Sequence, residues 1–457
     1  MAVVAHIAFV LAALLVYAVS THTSGQRRHP SAAIAWVLTI ALLPYIGLPL
    51  YLLLGQRKFA RPARRPTALS HLPDNSLQQC ALATLEGMGL MPPACNRLIR
   101  FHQDGQAAWD ELAALIQSAQ DQLDICTFVL GHDALGERVV CLLAERAAAG
   151  VRVRLLLDAF GSWRTSPAHV RRLRTAGVQV HWYMPLLHNP LRSRVNLRNH
   201  RKLAIADAAR LWTGGRNLAA EYFTNDGKKA AWTDLSFSLE GPLAAQALSL
   251  FNSHWRFGQT RKAADREREI HPAPTQEAGE HRAQLVPSGP DQAEDTVYGL
   301  LLTTLFRAQH RVLAVTPYFV PDDSLLKALC LAARRGVQVE LILPARSNHR
   351  LADIARARAL RDLVAAGGQV RLAPGMVHAK AIVVDDALAL CGSLNLDARS
   401  LFLNFELMAA FYSANDIAEV TQWIDGQFSH LPRFHPVQPS LWRDIAEGVV
   451  RWLGFQI

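Results

Sequence analysis

Two short segments of this 457-residue chain carry the same polar residues at the same spacing. The first holds His200, Lys202 and Asp207; the second holds His378, Lys380 and Asp385. Both read HxKxxxxD. Gly214 and Gly392 lie fourteen residues after their histidines, and Asn217 and Asn395 seventeen after. A carboxylate follows each set, at Asp234 and Glu406. Two imidazoles, two ammonium groups and two amides suit a phosphodiester. A neutral imidazole can attack phosphorus, and a protonated partner can supply the proton that a leaving alkoxide needs. Lysines and asparagines can hold the non-bridging oxygens as charge builds. Asp234 and Glu406 can each fix an imidazole tautomer through its far nitrogen. This chemistry requires no metal and implies no cofactor. One HxK alone would be weak evidence, usually a solvated strand; two in register are strong.

The apolar, β-branched run after each histidine predicts a strand. Residues i and i+2 of a strand share a face, so His and Lys of each copy project together. The aspartate, at an odd offset, is expected to point away or sit in the turn with a structural role, although each HxKxxxxD is taken as one catalytic set. The surrounding elements repeat as well. Leu123–Val129, Leu135–Ala149 and Val151–Leu157 read strand, helix, strand; Val312–Val315, Ser324–Arg335 and Val337–Leu343 read the same. Units of this length imply parallel pairing and an α/β fold. The lobes are placed at 100–257 and 285–435. A connector covers 56–99, a charged linker 258–284 and an amphipathic C-terminal helix 436–457. Leu441, Ile445, Val449, Trp452 and Leu453 form the apolar face of that helix, fit for a membrane interface or for packing on the second lobe.

The net charge of +10 is concentrated at the start. Residues 1–65 hold seven Lys/Arg and no acid, leaving 41 basic against 38 acidic residues in the rest. The lobes are therefore nearly neutral, which argues against a nucleic-acid partner. Residues 2–19 and 31–54 are apolar. They would reach about 27 Å and about 36 Å as helices, so a two-helix anchor is expected over 1–55, with Pro44, Gly47 and Pro49 kinking the second span. Five basic residues after that span, against Arg27 and Arg28 in the turn, put the bulk of the chain in the cytoplasm. Six scattered cysteines with no CxxC pair fit a reducing compartment. Tyr222-Phe223 and Tyr318-Phe319 are candidates for a lipid entrance or for core. "MPLLHNPLRSR" at 184–194, with Arg192 and Arg194, is a candidate bilayer contact or a plain loop.

The paired motifs resemble those of the phospholipase D superfamily, and within it the bacterial cardiolipin synthases. "RNHRKLAIAD" at 198–207 and "GGRNLAAEYF" at 214–223 resemble the first motif region. "TPYFVPDDSLLKAL" at 316–329 and "GSLNLDARSLFLNFE" at 392–406 resemble the second, and "LPYIGLPLYLLLG" at 43–55 resembles a membrane segment of that family. The resemblance implies two α/β lobes about a pseudo-twofold axis with the site between them. It implies a multi-pass protein of the bacterial inner membrane and a ping-pong reaction through a phosphohistidine. His200 would be the nucleophile and His378 the acid and then the base; the likeness of the halves leaves the reverse open. Asn217, Asn395, Gly215 and Ser393 would contact substrate. One phosphatidylglycerol would donate its phosphatidyl group to another, giving cardiolipin and glycerol, with phosphatidylethanolamine a second candidate lipid. The alternatives on the same site are a phospholipase D hydrolase releasing phosphatidic acid and a nuclease.

Overall fold

A computed structural model describes residues 2–23, 30–55, 58, 76–185, 196–225, 230–257 and 279–454. Before the first lobe, β1 (Ala94–Asn96) stands alone in sequence. The first lobe contains β2 (Leu98–His102), β3 (Gln122–Thr127), β4 (Arg152–Asp158), β5 (Gln179–Tyr183), β6 (Leu203–Ala206), β7 (Arg210–Gly214) and β8 (Ser236–Glu240). The second contains β9 (His281–Ser288), β10 (Arg311–Val315), β11 (Phe319–Val320), β12 (Gln338–Pro344), β13 (Gln369–Ala373), β14 (Ala381–Val384), β15 (Leu388–Gly392), β16 (Leu396–Asp397) and β17 (Glu406–Phe411).

The first sheet runs β2-β8-β7-β6-β3-β4-β5 and the second β1-β9-β17-β15-β14-β10-β12-β13. Strand for strand the second repeats the first, with β1 added at its edge. The expected parallel pairing holds for β3, β4 and β5 and for β10, β12 and β13. The strands that follow the histidines, β6 and β14, pair antiparallel on both sides, so each sheet is mixed. The crossover helices Ala134–Ala148 and Asp323–Arg334 begin at Asp133 and Asp322. Each carboxylate accepts from backbone N–H groups of its helix's first turn, satisfying otherwise orphaned donors.

Each sheet is covered on its outer face by its own helices; between the inner faces lie helices Pro242–Phe257 and Ala414–Phe428, packed with residues of both lobes. The central core joins Phe101, Phe237, Phe251 and Trp255 of the first lobe to Leu313, Val383, Phe411 and Trp423 of the second. Strands buried on both faces explain the near-continuous apolar runs in the sequence.

Three boundaries differ from expectation. The connector is not a tether throughout: helix Leu77–Gly87 packs Ala81 and Leu85 against Val297, Leu300 and Leu301, and β1 pairs with β9. Residues 76–96 thus belong to the second lobe, although they precede the first. The linker gives up its last residues to β9, and 258–278 lie outside the described residues. At the C-terminus, helix Leu441–Gly454 is joined to helix Arg350–Ala365 by Arg361, which donates to Asp444 and Glu447. Leu441 is exposed; the side chains of Ile445, Val449, Trp452 and Leu453 lie outside the described residues.

The anchor also departs from expectation. Helix Ala2–Thr23 is long and apolar enough to cross a bilayer. Residues 31–54 do not form a second such helix. They fold as Pro30–Leu42 and Pro44–Leu54, broken at Leu43. The ring of Trp36 meets that of Tyr51 with centroids 5.4 Å apart, so the third helix doubles back on the second. Tyr45 stacks on Phe9 and Tyr51 meets Tyr17, so it runs alongside the first in the same direction. Glycine permits the tight bend: a Cβ on Gly47 would lie 2.7 Å from the Thr39 carbonyl oxygen.

Spin labels at positions 36 and 51 in a cysteine-free background test this arrangement. Contact predicts a short separation, whereas one continuous helix would hold the two backbones about 22 Å apart.

Candidate active site

His200 and Lys202 lie just before β6, and His378 and Lys380 just before β14. Neighbouring lobes hold both segments. The His200 N–H donates to the Phe405 carbonyl at 2.9 Å, and the His378 N–H to the Thr233 carbonyl at 2.7 Å. Each imidazole is therefore seated on backbone of the opposite lobe.

The carboxylates cross in the same way. Nδ1 of His378 lies 2.7 Å from Oδ2 of Asp234, and Nδ1 of His200 lies 3.0 Å from Oε2 of Glu406. Asp234 belongs to the first lobe and Glu406 to the second, so each lobe orients the other's histidine. All four groups are buried. With Nδ1–H donating to a carboxylate, Nε2 carries the lone pair.

Burial lowers the pKa of His378 to about 3; the Lys380 ammonium acts in the same direction and Asp234 opposes both. His200 is lowered too, by burial above all, against the pull of Glu406. Burial by itself would raise Asp234, but His378, Lys380 and Arg216 outweigh it and bring it to about 2. The resting pairs are thus neutral imidazole beside ionised carboxylate. Burial also lowers Lys202 to about 7 and Lys380 to about 8.

Asn217 and Asn395 are buried, and each has one amide atom engaged within its own lobe, Asn217 with the Tyr222 hydroxyl and Asn395 with the Ser400 hydroxyl. The other amide atom of each has no partner. Turned about, each amide would accept from its hydroxyl and offer its NH2 group to an anion. Tyr222 is not at an entrance: its ring packs edge-on to His378 with centroids 4.9 Å apart. Phe223 and Phe319 are core, and Tyr318 meets His349 at 5.2 Å. The stretch at 186–194, with Arg192 and Arg194, lies outside the described residues.

Four expected site residues serve as supports instead. Asp207 sits in the turn after β6 with φ of 52°, and Asp385 after β14 with φ of 50°. Asp207 accepts from the N–H groups of Gln120, Asp121 and Gln122 at 2.9–3.0 Å. Asp385 accepts from Gln309, His310 and Arg311 at the same distances. They tie down the starts of β3 and β10 and do not face the histidines, as their odd offset requires. Neither belongs in the catalytic set. Gly215 and Ser393 lie against the two carboxylates. A Cβ on Gly215 would lie 2.1 Å from Asp234 Oδ1, so glycine is what lets that carboxylate approach. Ser393, at the equivalent position, donates to Glu406 Oε2 at 2.5 Å and accepts from the Leu407 N–H.

One feature went unread in the sequence. Arg201, between His200 and Lys202, points to the opposite side and crosses to the second lobe. Its guanidinium meets both oxygens of Asp291 at 2.9 and 3.1 Å and donates to the Glu406 carbonyl at 2.8 Å. His254 completes the cluster, 3.1 Å from Asp291. The equivalent residue of the second copy is Ala379, so this clamp is made once. The mismatch between Arg201 and Ala379 was the available signal.

The fold and the paired histidines are those of the phospholipase D superfamily, and the chain belongs to its cardiolipin synthase family. The model "Cardiolipin synthase, PLD-like domain" matches residues 112–255 and 301–431, and "Phospholipase_D-nuclease N-terminal" matches 8–56. The chain is 32% identical to cardiolipin synthase A of Pseudomonas aeruginosa, over 93% of this chain and 89% of that one. It is 29% identical to the cardiolipin synthase of Geobacillus thermodenitrificans, over 90% and 86%. Among solved structures, phosphatidylserine synthase of Haemophilus influenzae superposes with a TM-score of 0.63 at 15% identity, over 83% of this chain and 96% of that chain. That likeness concerns the fold alone. Family membership makes the chain a phosphatidyltransferase of the cardiolipin synthase type.

Two substitutions separate clamp from turn. Arg201→Ala removes a buried guanidinium and leaves the partly buried Asp291 with only His254 beside it, and should cost about 3 kcal/mol, the low end for a broken buried pair, read by thermal unfolding. Asp207→Asn should lower folded yield through the lost backbone bonds, by about 1–3 kcal/mol, more than it lowers turnover per folded molecule.

Proposed function

We propose that the site moves a phosphatidyl group from one phosphatidylglycerol to a second, releasing glycerol, through a phosphohistidine. Nε2 of His200 attacks phosphorus. The bond from phosphorus to the headgroup glycerol oxygen breaks, and His378 gives that oxygen a proton. His378 then takes a proton from a hydroxyl of the second lipid, whose oxygen attacks phosphorus. The phosphorus–nitrogen bond breaks and His200 is restored.

What supports the reading is the crossed pair of carboxylate–imidazole contacts, which leaves an unprotonated Nε2 on each histidine. The low resting pKa of His378 is no obstacle. An anionic phosphodiester arriving beside it raises its proton affinity, since a nearby opposite charge favours the charged form. Lys202, Lys380 and the amides of Asn217 and Asn395 hold the non-bridging oxygens. A lysine is charged below its pKa and loses that charge above it. Burial sets those values at about 7 and about 8 for Lys202 and Lys380.

The same reading puts the lobes on the cytoplasmic side. The helix ends at Thr23 and Leu54 lie at one end of the anchor, where the Thr21 and Tyr51 hydroxyls are 3.3 Å apart. All seven basic residues of the first 65 adjoin those two ends in sequence. An anchor that crosses once and then re-enters without crossing puts no excess of positive charge on the far side, in keeping with the positive-inside rule. Its N-terminus would face away from the lobes.

Product analysis tests the reaction. Labelled phosphatidylglycerol in mixed micelles should give cardiolipin and glycerol, and phosphatidic acid alone would instead make water the acceptor. His200→Ala and His378→Ala should each abolish turnover. The pH profile of kcat/KM should fall on its alkaline side with an apparent pKa between 7 and 8. Lys202→Arg, which keeps its charge, should move that limb upward.

A further inference from the structure

We propose that the rim of the site is a bilayer-docking face, made by Phe160 and Trp163 on one lobe and Leu351 and Ile354 on the other. Phe160 and Trp163 lie in the loop after β4, and Leu351 and Ile354 in the first turns of helix Arg350–Ala365, which begins just past the loop after β12; β4 and β12 are the central parallel strands of their lobes. Strand register puts both loops at the edge that carries the histidines: Cys126 at the end of β3 pairs with Leu203, and Val315 at the end of β10 pairs with Ala381. Asp158, the last residue of β4, accepts from the N–H of Asn199 at 2.8 Å, next to His200. In the second lobe Asn348 and His349 contact Tyr318, in the loop after β10.

Large apolar side chains at these tips are turned outward. Trp163 is 72% exposed and Leu351 68%, with Phe160 and Ile354 also exposed. Exposed large apolar side chains grouped at one edge are costly in water, and tryptophan and phenylalanine are favourable at a headgroup boundary. The charge fits an anionic surface. Residues 159–166 and 345–354 contain Arg164, Arg346 and Arg350, all exposed, against one acid, Asp353, which is partly buried and pairs with Arg356.

A third observation aims this face at the membrane. Lys58, four residues past the last anchor helix, donates to the carbonyls of Gln292 and Glu294 at 2.9 Å and pairs with Asp295 at 3.0 Å. Four residues of chain span at most about 14 Å. The loop that Lys58 holds follows β9, whose Ser288 pairs with Glu406, and it contains Asp291 of the Arg201 clamp. The anchor therefore leaves the bilayer beside the same edge of the lobes, and the rim meets the headgroups from which a lipid substrate must be drawn. The choice of phosphatidylglycerol as the lipid rests on the transferase reading; the docking face does not.

The test has a binding arm and a kinetic arm, both on the full-length chain in phosphatidylglycerol-containing vesicles. Acyl-chain-brominated lipid should quench wild-type tryptophan emission more than that of Trp163→Phe; equal quenching would overturn the proposal. In Phe160→Ser/Leu351→Ser, turnover on vesicle lipid should fall by about fivefold or more. On short-chain phosphatidylglycerol dispersed as monomers the fall should be less than about twofold. An equal loss on both substrates would also overturn it. Wild-type protein that turned over neither lipid would refute the transferase reading and leave the quenching result to decide the docking face.

Discussion

Everything in this structure depends on the exchange of carboxylates between lobes. Asp234 reaches His378 and Glu406 reaches His200, each at hydrogen-bond distance and each buried. A buried imidazole with no partner would cost free energy and lack a fixed tautomer. Here the partner comes from the other half of the molecule, so neither lobe completes its histidine–carboxylate pair alone. The shared apolar core, the seating of each histidine on the opposite lobe's backbone and the Arg201–Asp291 clamp all serve to hold that exchange in register.

The cost of the arrangement is a concentration of charge out of water. Lys202, Lys380, Asp234, Glu406, Arg201 and Arg216 are all nearly inaccessible. Such groups survive burial only when paired or hydrogen-bonded. The lysine ammonium groups are partly covered by their own histidine backbones, with Lys202 Nζ 2.5 Å from the His200 carbonyl. Among the described residues around the histidines, Nη1 of Arg216 and Oδ1 of Asn217 and Asn395 have no partner. With both amides turned about, their NH2 groups would join the lysine ammonium groups in facing an anionic phosphodiester.

Much of this was legible in the sequence, for physical reasons. The odd offset of Asp207 from His200 told that it leaves the site, because side chains alternate along an extended segment. The repeat told that there are two lobes, and the apolar runs after the histidines told the strands. Distances across the interface were not legible. No local pattern says that Asp234 serves the histidine of the other copy, or that Arg201 finds Asp291. Nor did composition distinguish a membrane span from two short helices folded at Leu43; only Pro44, Gly47 and Pro49 hinted at the break. The place of residues 76–96 in the second lobe is not legible either, because an edge strand and its helix carry no mark of the lobe they join.

The central claim is tested most directly by nitrogen-15 spectroscopy of the histidine rings. In the wild-type protein His200 and His378 should each show a strongly hydrogen-bonded Nδ1 proton and an unprotonated Nε2. Asp234→Asn should disturb the ring of His378 and leave that of His200, and Glu406→Gln should do the reverse. If each carboxylate variant instead disturbed the histidine of its own lobe, or neither ring responded, the exchange between lobes would be refuted.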